Sequence, residues 1–348
     1  MPDHTICATI PDETIATAAK HMGDVLRVAF EHTDEHAAVV VFDTECDLAV
    51  ALTEAYRRCL PEALFLEFQS EDPEAVLPVF EQLGANDLVV LIQSTSFRLA
   101  TFRIRLELFR RSLKVLEHPH LSRMPGAESL VYIDSLRYDP AYYRGVGAAL
   151  KLRIDAAQVC VVDSGGEQLV FDAGFEPAKR NVGDYTGLTN TGGQYPIGEV
   201  FTESKDLEAV QGRVRISFFG DTQFRVNRPA RPITLVVERG RVVEALDSTP
   251  EFDLVLENIR ASEGKVWLRE LGFGMNRAFT QERTVSDIGT FERMCGVHFS
   301  LGAKHASYNK PNIKKKLARF HVDVFALTHT VKLDDEIIFQ DGAWLGSA

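Results

Sequence analysis

The histidines nearest the C-terminus are the residues of this sequence whose types and spacing most directly predict chemistry. Six of the ten histidines precede residue 121, none lies between 121 and 297, and four lie between His298 and His329. Among these four, His321-Val322-Asp323 begins the apolar run HVDVFAL, which predicts a strand. Residues two apart on a strand project from the same face, so this imidazole and carboxylate could bind one zinc, manganese, cobalt or ferrous ion. The alternative is a surface ion pair on an edge strand.

Three acidic residues in other segments could contribute to such a site. Glu199 lies in PIGEVFT, and Glu270 precedes two glycines in ELGFG. Glycines so close to an acid predict a close backbone approach by a ligand or by another strand. Glu292 precedes His298 in ERMCGVHFSLG. Taken singly, each has a structural explanation, as a loop acid, a helix cap, a helix-surface charge or a hydrogen-bonded core histidine.

Together and in this order, GEVFT, ELGFG, GVHFSLG and the final HxD resemble motifs of the aminopeptidase T/aminopeptidase S family of thermophilic-type metallopeptidases. The family includes dihydroxypyridine dioxygenase-like relatives. The resemblance extends from about Asn190 to the C-terminus, where EIIFQDGAWL is similar to the family's closing segment. PIGEVFTES is similar to the family's PSGEVFTAP, with Ile197 in place of serine. In the N-terminal half, the resemblance is limited to an α/β architecture.

This resemblance implies a metal-dependent hydrolase with two divalent cations, Zn, Co or Mn. The residues that match the family's metal ligands are Glu199, Glu270, His298, His321 and Asp323, with Glu292 as a sixth ligand at a slightly longer spacing. Converging carboxylates need compensating positive charge, which the cations would supply. The cations would activate a bridging water to attack an amide or peptide carbonyl. Glu270 or Glu292 would carry the proton to the leaving amine.

The sequence departs from the family where the peptidases have a tyrosine that stabilises the oxyanion. The equivalent position falls on His305, with Tyr308 slightly further along. Because a protonated imidazole donates the same hydrogen bond, both residues are predicted to be catalytic. The change also predicts a different substrate, or a reaction other than peptide hydrolysis.

A basic stretch lies between His298 and His321. It comprises Lys304, Lys310, Lys314, Lys315, Lys316 and Arg319. One interpretation is a solvated loop. The other is that some of these cations, with Lys304 and Lys310 as the candidates, bind a substrate carboxylate or phosphate. A formal net charge of −12 and the lack of interleaved aromatic residues argue against nucleic-acid binding.

Two other functions remain open. Some relatives in the same superfamily resemble this chain but are mononuclear ferrous dioxygenases, and His298, His321 and Asp323 alone could form their two-histidine, one-carboxylate triad around one Fe(II). Those relatives carry a histidine where this sequence has Glu270 and lack the acid of GEVFT, so the acids favour the hydrolase. A non-catalytic relative is the third possibility, although a cluster of unneutralised acids argues against it.

Two kinds of hydrophobic pattern predict the elements that position these residues. Before residue 155, apolar strands alternate with amphipathic helices, which predicts a parallel sheet covered on both faces, an α/β doubly wound, Rossmann-like domain over residues 1–155. The predicted strands are Ala38–Phe42, Ala63–Phe68, Leu88–Gln93 and Leu130–Ile133. The predicted helices are Asp47–Cys59, Glu74–Leu83, Ser96–Leu113 and Tyr142–Ile154, and the GVGAAL motif in the last of these predicts helix packing, not dinucleotide binding.

From residue 156 onward, short strands are paired by turns. The turn signals are Ser164-Gly165-Gly166, Arg239-Gly240 and Asp334-Asp335, each between two apolar runs. They predict an α+β domain rich in hairpins over residues 156–348, which carries the metal site.

Length and composition fit this two-domain organisation. The 348 residues are 45% hydrophobic and 25% charged, typical of about two globular domains. No apolar run approaches the roughly 18 residues of a membrane span, and the first residues show no secretory signal. The five cysteines are scattered without a CxxC pair, which favours a reducing cytoplasm. We therefore expect a cytoplasmic protein with a small-molecule or short-peptide substrate, and the resemblance implies a homodimer.

Overall fold

The computed structural model describes residues 10–69, 72–99, 102–188 and 191–345, so Cys7 lies outside the described residues. In the described residues, none of the helices is long and apolar enough to cross a membrane. The α-helices are α1 Asp12–Val28, α2 Asp47–Cys59, α3 Leu77–Phe80, α4 Ile104–Arg110, α5 Ala127–Ser135, α6 Pro140–Ala156, α7 Pro250–Glu263 and α8 Ile288–Phe291.

The strands belong to one parallel and one larger antiparallel sheet, apart from the small hairpin β4–β5. They are β1 Ala38–Phe42, β2 Leu64–Glu67, β3 Leu88–Ile92, β4 Arg98–Leu99, β5 Phe102–Arg103, β6 Lys114–His118, β7 Val159–Asp163, β8 Gln168–Asp172, β9 Lys179–Asn181, β10 Gly192–Gln194, β11 Glu199–Glu203, β12 Val210–Gly220, β13 Val226–Asn227, β14 Ile233–Glu238, β15 Arg241–Leu246, β16 Leu268–Gly274, β17 Gly296–Leu301, β18 Val322–Ala326, β19 Thr330–Leu333, β20 Glu336–Gln340 and β21 Ala343–Trp344.

The first compact unit comprises the chain up to residue 140 together with residues 183–197. It contains the five-stranded parallel sheet in the order β10-β6-β3-β1-β2. β3 is apolar and buried along its whole length, as expected of a parallel strand covered on both faces. Because the chain moves outward in both directions from β1, right-handed crossovers would place helices on both faces. The predicted parallel sheet of this half is confirmed.

The segment Ser96–Leu113 does not form the single helix that its periodicity predicts. It contains the hairpin of β4 and β5, and among its described residues only those of α4 are α-helical. The backbone N–H of Phe97 donates to the side-chain oxygen of Gln93 at 2.8 Å, so a side chain takes the place of a helical carbonyl.

The apolar run Leu130–Ile133 was predicted to be a strand and is instead part of helix α5. Its buried positions include Ser129, Tyr132 and Ile133, which are three and four residues apart and face the core at helical spacing. The fourth strand of the sheet is β6, whose sequence KVLEH is buried although two of its five side chains are charged. A short run with buried charges gives little strand signal.

The segment Glu74–Leu83 was also predicted to be one helix. It contains a 3-10 turn over Pro73–Val76 and the single turn α3. Pro78 lies at the start of α3, where a missing N–H is tolerated, but it prevents a continuous helix through this segment.

The second compact unit comprises residues 141–182 and the chain from Gly198 onward. It contains the antiparallel sheet, whose main path is β21-β20-β19-β7-β8-β12-β18-β17-β16-β11-β9. The three predicted hairpins are confirmed as the pairs β7–β8, β14–β15 and β19–β20.

The chain passes from the first unit to the second after residue 140, returns to the first unit over residues 183–197, and then continues in the second unit. The sequence predicts a single boundary at residue 155. Helix α6 belongs to the second unit because it packs there. A Cβ on Gly147 would lie 2.7 Å from the Val182 side chain, and the Tyr142 hydroxyl donates to the Met275 carbonyl at 3.0 Å. The close packing of Gly147 is what the GVGAAL motif predicts. β10 pairs with β6 in the first unit, and its two glycines give no strand signal.

Four neighbouring strands of the antiparallel sheet, β11, β16, β17 and β18, carry most of the predicted metal ligands. Their register places Glu203 opposite Glu270 and Gly272 opposite His298. Ser300 lies opposite Asp323. Because residues directly opposite each other in antiparallel strands project from the same face, the acids and imidazoles gather on one face of the sheet.

Candidate metal centre

Two carboxylates and one imidazole converge at the centre of this face. The Nε2 atom of His298 lies 3.2 Å from Glu199 Oε1 and 3.3 Å from Glu270 Oε1. One potential ligand atom of each residue lies within 4.8 Å of the other two, and all three side chains are buried. We call Glu199, Glu270 and His298 the central cluster. Imidazole nitrogen and carboxylate oxygen suit zinc, manganese, cobalt and ferrous iron, so this donor set fits a divalent cation.

The glycines of ELGFG make room for this arrangement. A Cβ on Gly272 would lie 2.1 Å from ring atoms of His298, and one on Gly274 would lie 1.9 Å from the Met294 carbonyl oxygen. Only a residue without a side chain therefore lets the His298 ring lie over β16. The sequence predicted a close approach by a ligand or another strand, and the approach is by β17 and the residues that precede it.

A β-bulge aims Glu270 at the cluster. Leu268 pairs with Leu301 and Leu271 pairs with Phe299, so two residues of β16, Arg269 and Glu270, oppose the single residue Ser300 of β17. The Glu270 backbone N–H donates to the Ser300 hydroxyl at 3.1 Å. The bulge thus directs both charged side chains into the site region.

The charges around them shift the pKa values of His298 and Glu270. Burial alone lowers the pKa of His298, but hydrogen bonds and charges from Glu199 and Glu270 outweigh it and raise the pKa to about 10. Burial raises the pKa of Glu270, whereas hydrogen bonds from His298 and His305 lower it below its usual range. The two carboxylates therefore require a positive charge between them, which either a proton on His298 or a metal cation supplies.

His305 extends the central cluster toward a second layer of buried charges. Its Nε2 lies 2.9 Å from Glu270 Oε2, and its Nδ1 contacts the Glu203 carboxylate. Burial lowers the pKa of His305, but hydrogen bonds and charges from Glu203 and Glu270 outweigh it and raise the pKa above its usual value. Glu203 also pairs with Arg269 Nη2 at 2.8 Å.

Glu203 and Arg269 are site residues that the sequence analysis missed. Glu203 is fully buried, and Arg269 holds the loop after β17 by donating to the carbonyls of Ala303 at 2.5 Å and Tyr308 at 3.1 Å. For Glu203, the spacing in the sequence contained a signal that could have identified it. Glu203 lies four residues after Glu199 on a strand, and this even spacing places both acids on one face.

His321 and Asp323 form the pair that the HxD spacing predicts. Their Nε2 and Oδ1 atoms are 3.1 Å apart, and His321 Nδ1 donates to the Lys304 carbonyl at 3.0 Å. Burial lowers the pKa of His321, but the charge of Asp323 and the more distant charge of Glu270 raise it to about 9. The rings of His305 and His321 are 5.6 Å apart between centroids. The pair is thus a second set of donors near the central cluster.

The other predicted site residues have different surroundings. The Tyr308 hydroxyl donates to the Pro177 carbonyl at 2.8 Å, and the Tyr308 ring lies 5.6 Å from the His305 ring between centroids. Glu292 forms an ion pair with the adjacent Arg293, and none of its hydrogen bonds or ion pairs within the described residues reaches the central cluster. The sixth-ligand role of Glu292 is therefore still only a prediction.

The two predicted substrate-binding lysines also differ from each other. Lys310 is buried, and its ammonium group donates to Glu176 at 2.5 Å and to the Ser204 carbonyl at 2.6 Å. These internal acceptors already use most of its donors. The Lys304 side chain, in contrast, is exposed.

Comparison with known proteins identifies the fold. No protein-family model matches this sequence, and no curated protein matches it. The solved structure of 2,5-dihydroxypyridine dioxygenase from Pseudomonas putida KT2440 is similar, with a TM-score of 0.63 and 15% identity over 95% of this chain and 97% of that one. AmpT from Thermus thermophilus is similar with a TM-score of 0.52 and 15% identity over 95% of this chain and 99% of that one.

This chain has their fold. The similarity extends over nearly the full chain and supports the predicted combination of a parallel sheet and a larger antiparallel sheet. An identity of 15% supports the shared fold and leaves the reaction to be argued from the site.

Proposed function

We propose that this protein is a metal-dependent hydrolase that cleaves an amide or peptide bond. The observation that supports it is the central cluster, in which His298 Nε2 lies within 3.3 Å of a carboxylate oxygen from each of Glu199 and Glu270. The presence of both acids distinguishes the metal-ligand pattern of the hydrolases from the two-histidine, one-carboxylate pattern of the ferrous dioxygenases. Buried carboxylates without a cation are unfavourable, so their joint presence favours a metal.

In this proposal, the central cluster holds one divalent cation, zinc, cobalt or manganese. His321 and Asp323 are the donors for a second cation, with Glu292 as a further ligand. Such cations supply Lewis acidity, which polarises an amide carbonyl and acidifies water near neutral pH.

The proton chemistry falls to the chain's own side chains. Glu270 accepts the proton of the attacking water and passes it to the leaving amine, while His305, whose Nε2 lies 2.9 Å from the Glu270 carboxylate, stays protonated. Glu203 fixes the orientation of the imidazole by binding Nδ1. The protonated His305 also serves as the donor to the oxyanion, in the role that the sequence assigns to His305 or Tyr308. The Tyr308 hydroxyl donates to the Pro177 carbonyl, and this hydrogen bond holds the Tyr308 ring beside His305.

The proposed substrate is a small molecule or short peptide, and the proposed assembly is a homodimer in the reducing cytoplasm. The similarity of the sequence to aminopeptidase motifs supports the first two features. The scattered cysteines support the third.

A ferrous ring-cleaving dioxygenase is the second candidate. His298, His321 and Asp323 lie on or beside the adjacent strands β17 and β18, so a two-histidine, one-carboxylate triad is available in this region. A dioxygenase from Pseudomonas putida is also among the solved structures that are similar to this chain.

Metal reconstitution and two assays distinguish the candidates. Protein dialysed against a chelator should lose hydrolysis of peptides and amides and regain it with Zn, Co or Mn, and Glu270→Gln should stay inactive. The same protein, loaded anaerobically with Fe(II), should consume no oxygen with hydroxypyridine or catechol substrates. Oxygen uptake that depends on Fe(II), without any amide hydrolysis, would establish the second candidate instead.

A further inference from the structure

A cavity of about 510 Å³ lies beside His305 in the second unit. It is lined by Arg269 of β16 and by ten residues between Ala303 and Ala318, in the long segment between β17 and β18. This volume is in the range of pockets that hold small organic ligands. Because His305 lines the cavity and also contacts Glu270, the cavity adjoins the central cluster.

The lining of this cavity is cationic. It includes Arg269, Lys304, Lys310 and Lys315, and no acidic residue is among the described residues that line it. This is unusual in a chain with a formal net charge of −12. A concave surface of one charge attracts ligands of the opposite charge.

Two of these cations have no ionic partner in the part of the chain that the structure describes. Arg269 is paired with Glu203, and Lys310 is paired with Glu176. Lys304 and Lys315 are exposed, and within the described residues neither forms an ion pair. The charges of these two lysines are therefore available to a ligand in the cavity.

The cavity also has an apolar part. Ile313, Ala318 and Tyr308 line it together with the cations. An organic anion, with a carbon skeleton attached to its charged group, matches this mixture better than a bare inorganic ion.

We infer that this cavity binds the oxyanion end of a small organic substrate, a carboxylate or phosphate group, and so holds the substrate's reactive bond near Glu270. The second half of this inference rests on the proposed function. Anion binding by Lys304 and Lys315 does not depend on it.

Isothermal titration calorimetry on the full-length, chelator-dialysed protein tests anion binding directly. The probes are succinate, inorganic phosphate and the neutral analogue succinamide. The double variant Lys304→Gln/Lys315→Gln removes the two unpaired charges of the cavity. The matched control Lys314→Gln/Lys316→Gln removes the same charge from the same exposed segment but outside the cavity lining.

We expect succinate or phosphate to bind, succinamide to bind at least tenfold more weakly, and the cavity variant to lose at least tenfold in anion affinity. The control variant should change by less than about threefold. Comparing succinate with phosphate shows which oxyanion the cavity prefers. Equal losses in both double variants would indicate diffuse surface charge and overturn the inference, as would equal binding of succinamide or no binding of either anion.

A third readout separates this inference from the proposed function. The cavity variant should retain the wild-type metal content, and its kcat/KM should fall for a dipeptide with a free carboxylate but not for the corresponding C-terminal amide. If no peptide is hydrolysed but the cavity variant still loses anion binding, the proposed function fails and the anion site stands. If hydrolysis depends on metal but the cavity variant has the same kcat/KM as wild type for the dipeptide with a free carboxylate, the cavity does not position the substrate and that part of the inference is wrong.

Discussion

Glu203 connects the central cluster to the charges that support it. Its carboxylate contacts His305, pairs with Arg269 and lies 3.8 Å from the Lys310 ammonium. A fully buried acid with three cationic neighbours is neutralised only while all of them stay in place. Its removal should therefore affect both the stability of the second unit and the orientation of His305.

Replacing Glu203 by Gln tests this role. Loss of the carboxylate leaves Arg269 buried without its partner, so the free energy of unfolding should fall by about 3–5 kcal/mol, measured by urea denaturation. The control is Glu208→Gln, whose carboxylate pairs with Arg239 and Arg241 at the surface and whose loss should have a much smaller effect. Equal losses of unfolding free energy in the two variants would show that the buried Glu203–Arg269 pair contributes no more to stability than the surface pair.

The sequence identified the individual residues of the central cluster better than it identified their partners. Glu199, Glu270 and His298 were all named as ligands, because motifs preserve residue types and order. Glu292 was named with them, and its ion pair within the described residues is with the adjacent Arg293, so its role as a ligand stays a prediction. Glu203 was missed because its importance comes from partners on other strands, which residue type alone does not reveal.

At the scale of the elements, the strand register decides which residues meet. The three hairpins were predictable because turn residues and apolar runs are local signals. The order in which β11, β16, β17 and β18 lie side by side is not local, and neither is the bulge at Arg269 and Glu270. The prediction of one long helix over Ser96–Leu113 was wrong for a related reason. Apolar residues three and four apart also fit a short hairpin followed by a helix, and the sequence alone does not separate the two.

Gly272→Ala tests how β16 and β17 position His298. The new methyl group would lie 2.1 Å from the imidazole, so the ring must move and metal affinity should fall by about 10–100-fold. Gly145→Ala is the control, because no atom lies within 4 Å of its added Cβ and a helical alanine should stabilise by up to about 1 kcal/mol. Competition with a chromogenic chelator measures the affinities, and unchanged metal affinity in Gly272→Ala would contradict this account of the site.

The end of β6 gives the first unit a specific pH dependence. Burial lowers the pKa of His118 to about 3, and its two ring nitrogens lie 2.8 Å from the hydroxyls of Tyr56 and Tyr132. Between pH 6.5 and pH 3 the unfolded chain therefore binds a proton that the folded chain does not. Stability from this group is fully present above pH 6.5 and is lost as the pH falls.

From pH 8 to pH 5, wild-type protein should lose about 2 kcal/mol more unfolding free energy than His118→Gln, which cannot titrate. Urea denaturation of both proteins at the two pH values measures the difference. Equal losses in both proteins would show that His118 is not held neutral in the folded state.

At the scale of the whole molecule, the chain forms two units that are not continuous in sequence. The sequence predicted a single boundary at residue 155, because the pattern of alternating helices and strands changes there to a pattern of hairpins. It did not reveal that residues 183–197 return to the first unit, since β10 consists of two glycines and a glutamine. Pairing of so short a strand depends on tertiary contacts.

Metal binding should also stabilise the folded protein as a whole. A ligand that binds only the folded state at 100 times its Kd adds about 2.7 kcal/mol to the free energy of unfolding. The Tm of chelator-dialysed protein should therefore rise on adding Zn or Mn, whereas His298→Gln should show little change. Scanning calorimetry checks this, and a wild-type Tm that ignores every divalent cation would argue for a non-catalytic relative.

The most direct test of the central claim is the metal content of the protein after loading and gel filtration, measured by elemental analysis. Wild type and the surface control Glu208→Gln should each retain at least one equivalent of Zn, Co or Mn per chain, and Glu270→Gln should retain almost none. A wild-type protein without bound metal, or a Glu270→Gln variant that retains as much as wild type, would contradict the assignment of Glu199, Glu270 and His298 as a metal centre.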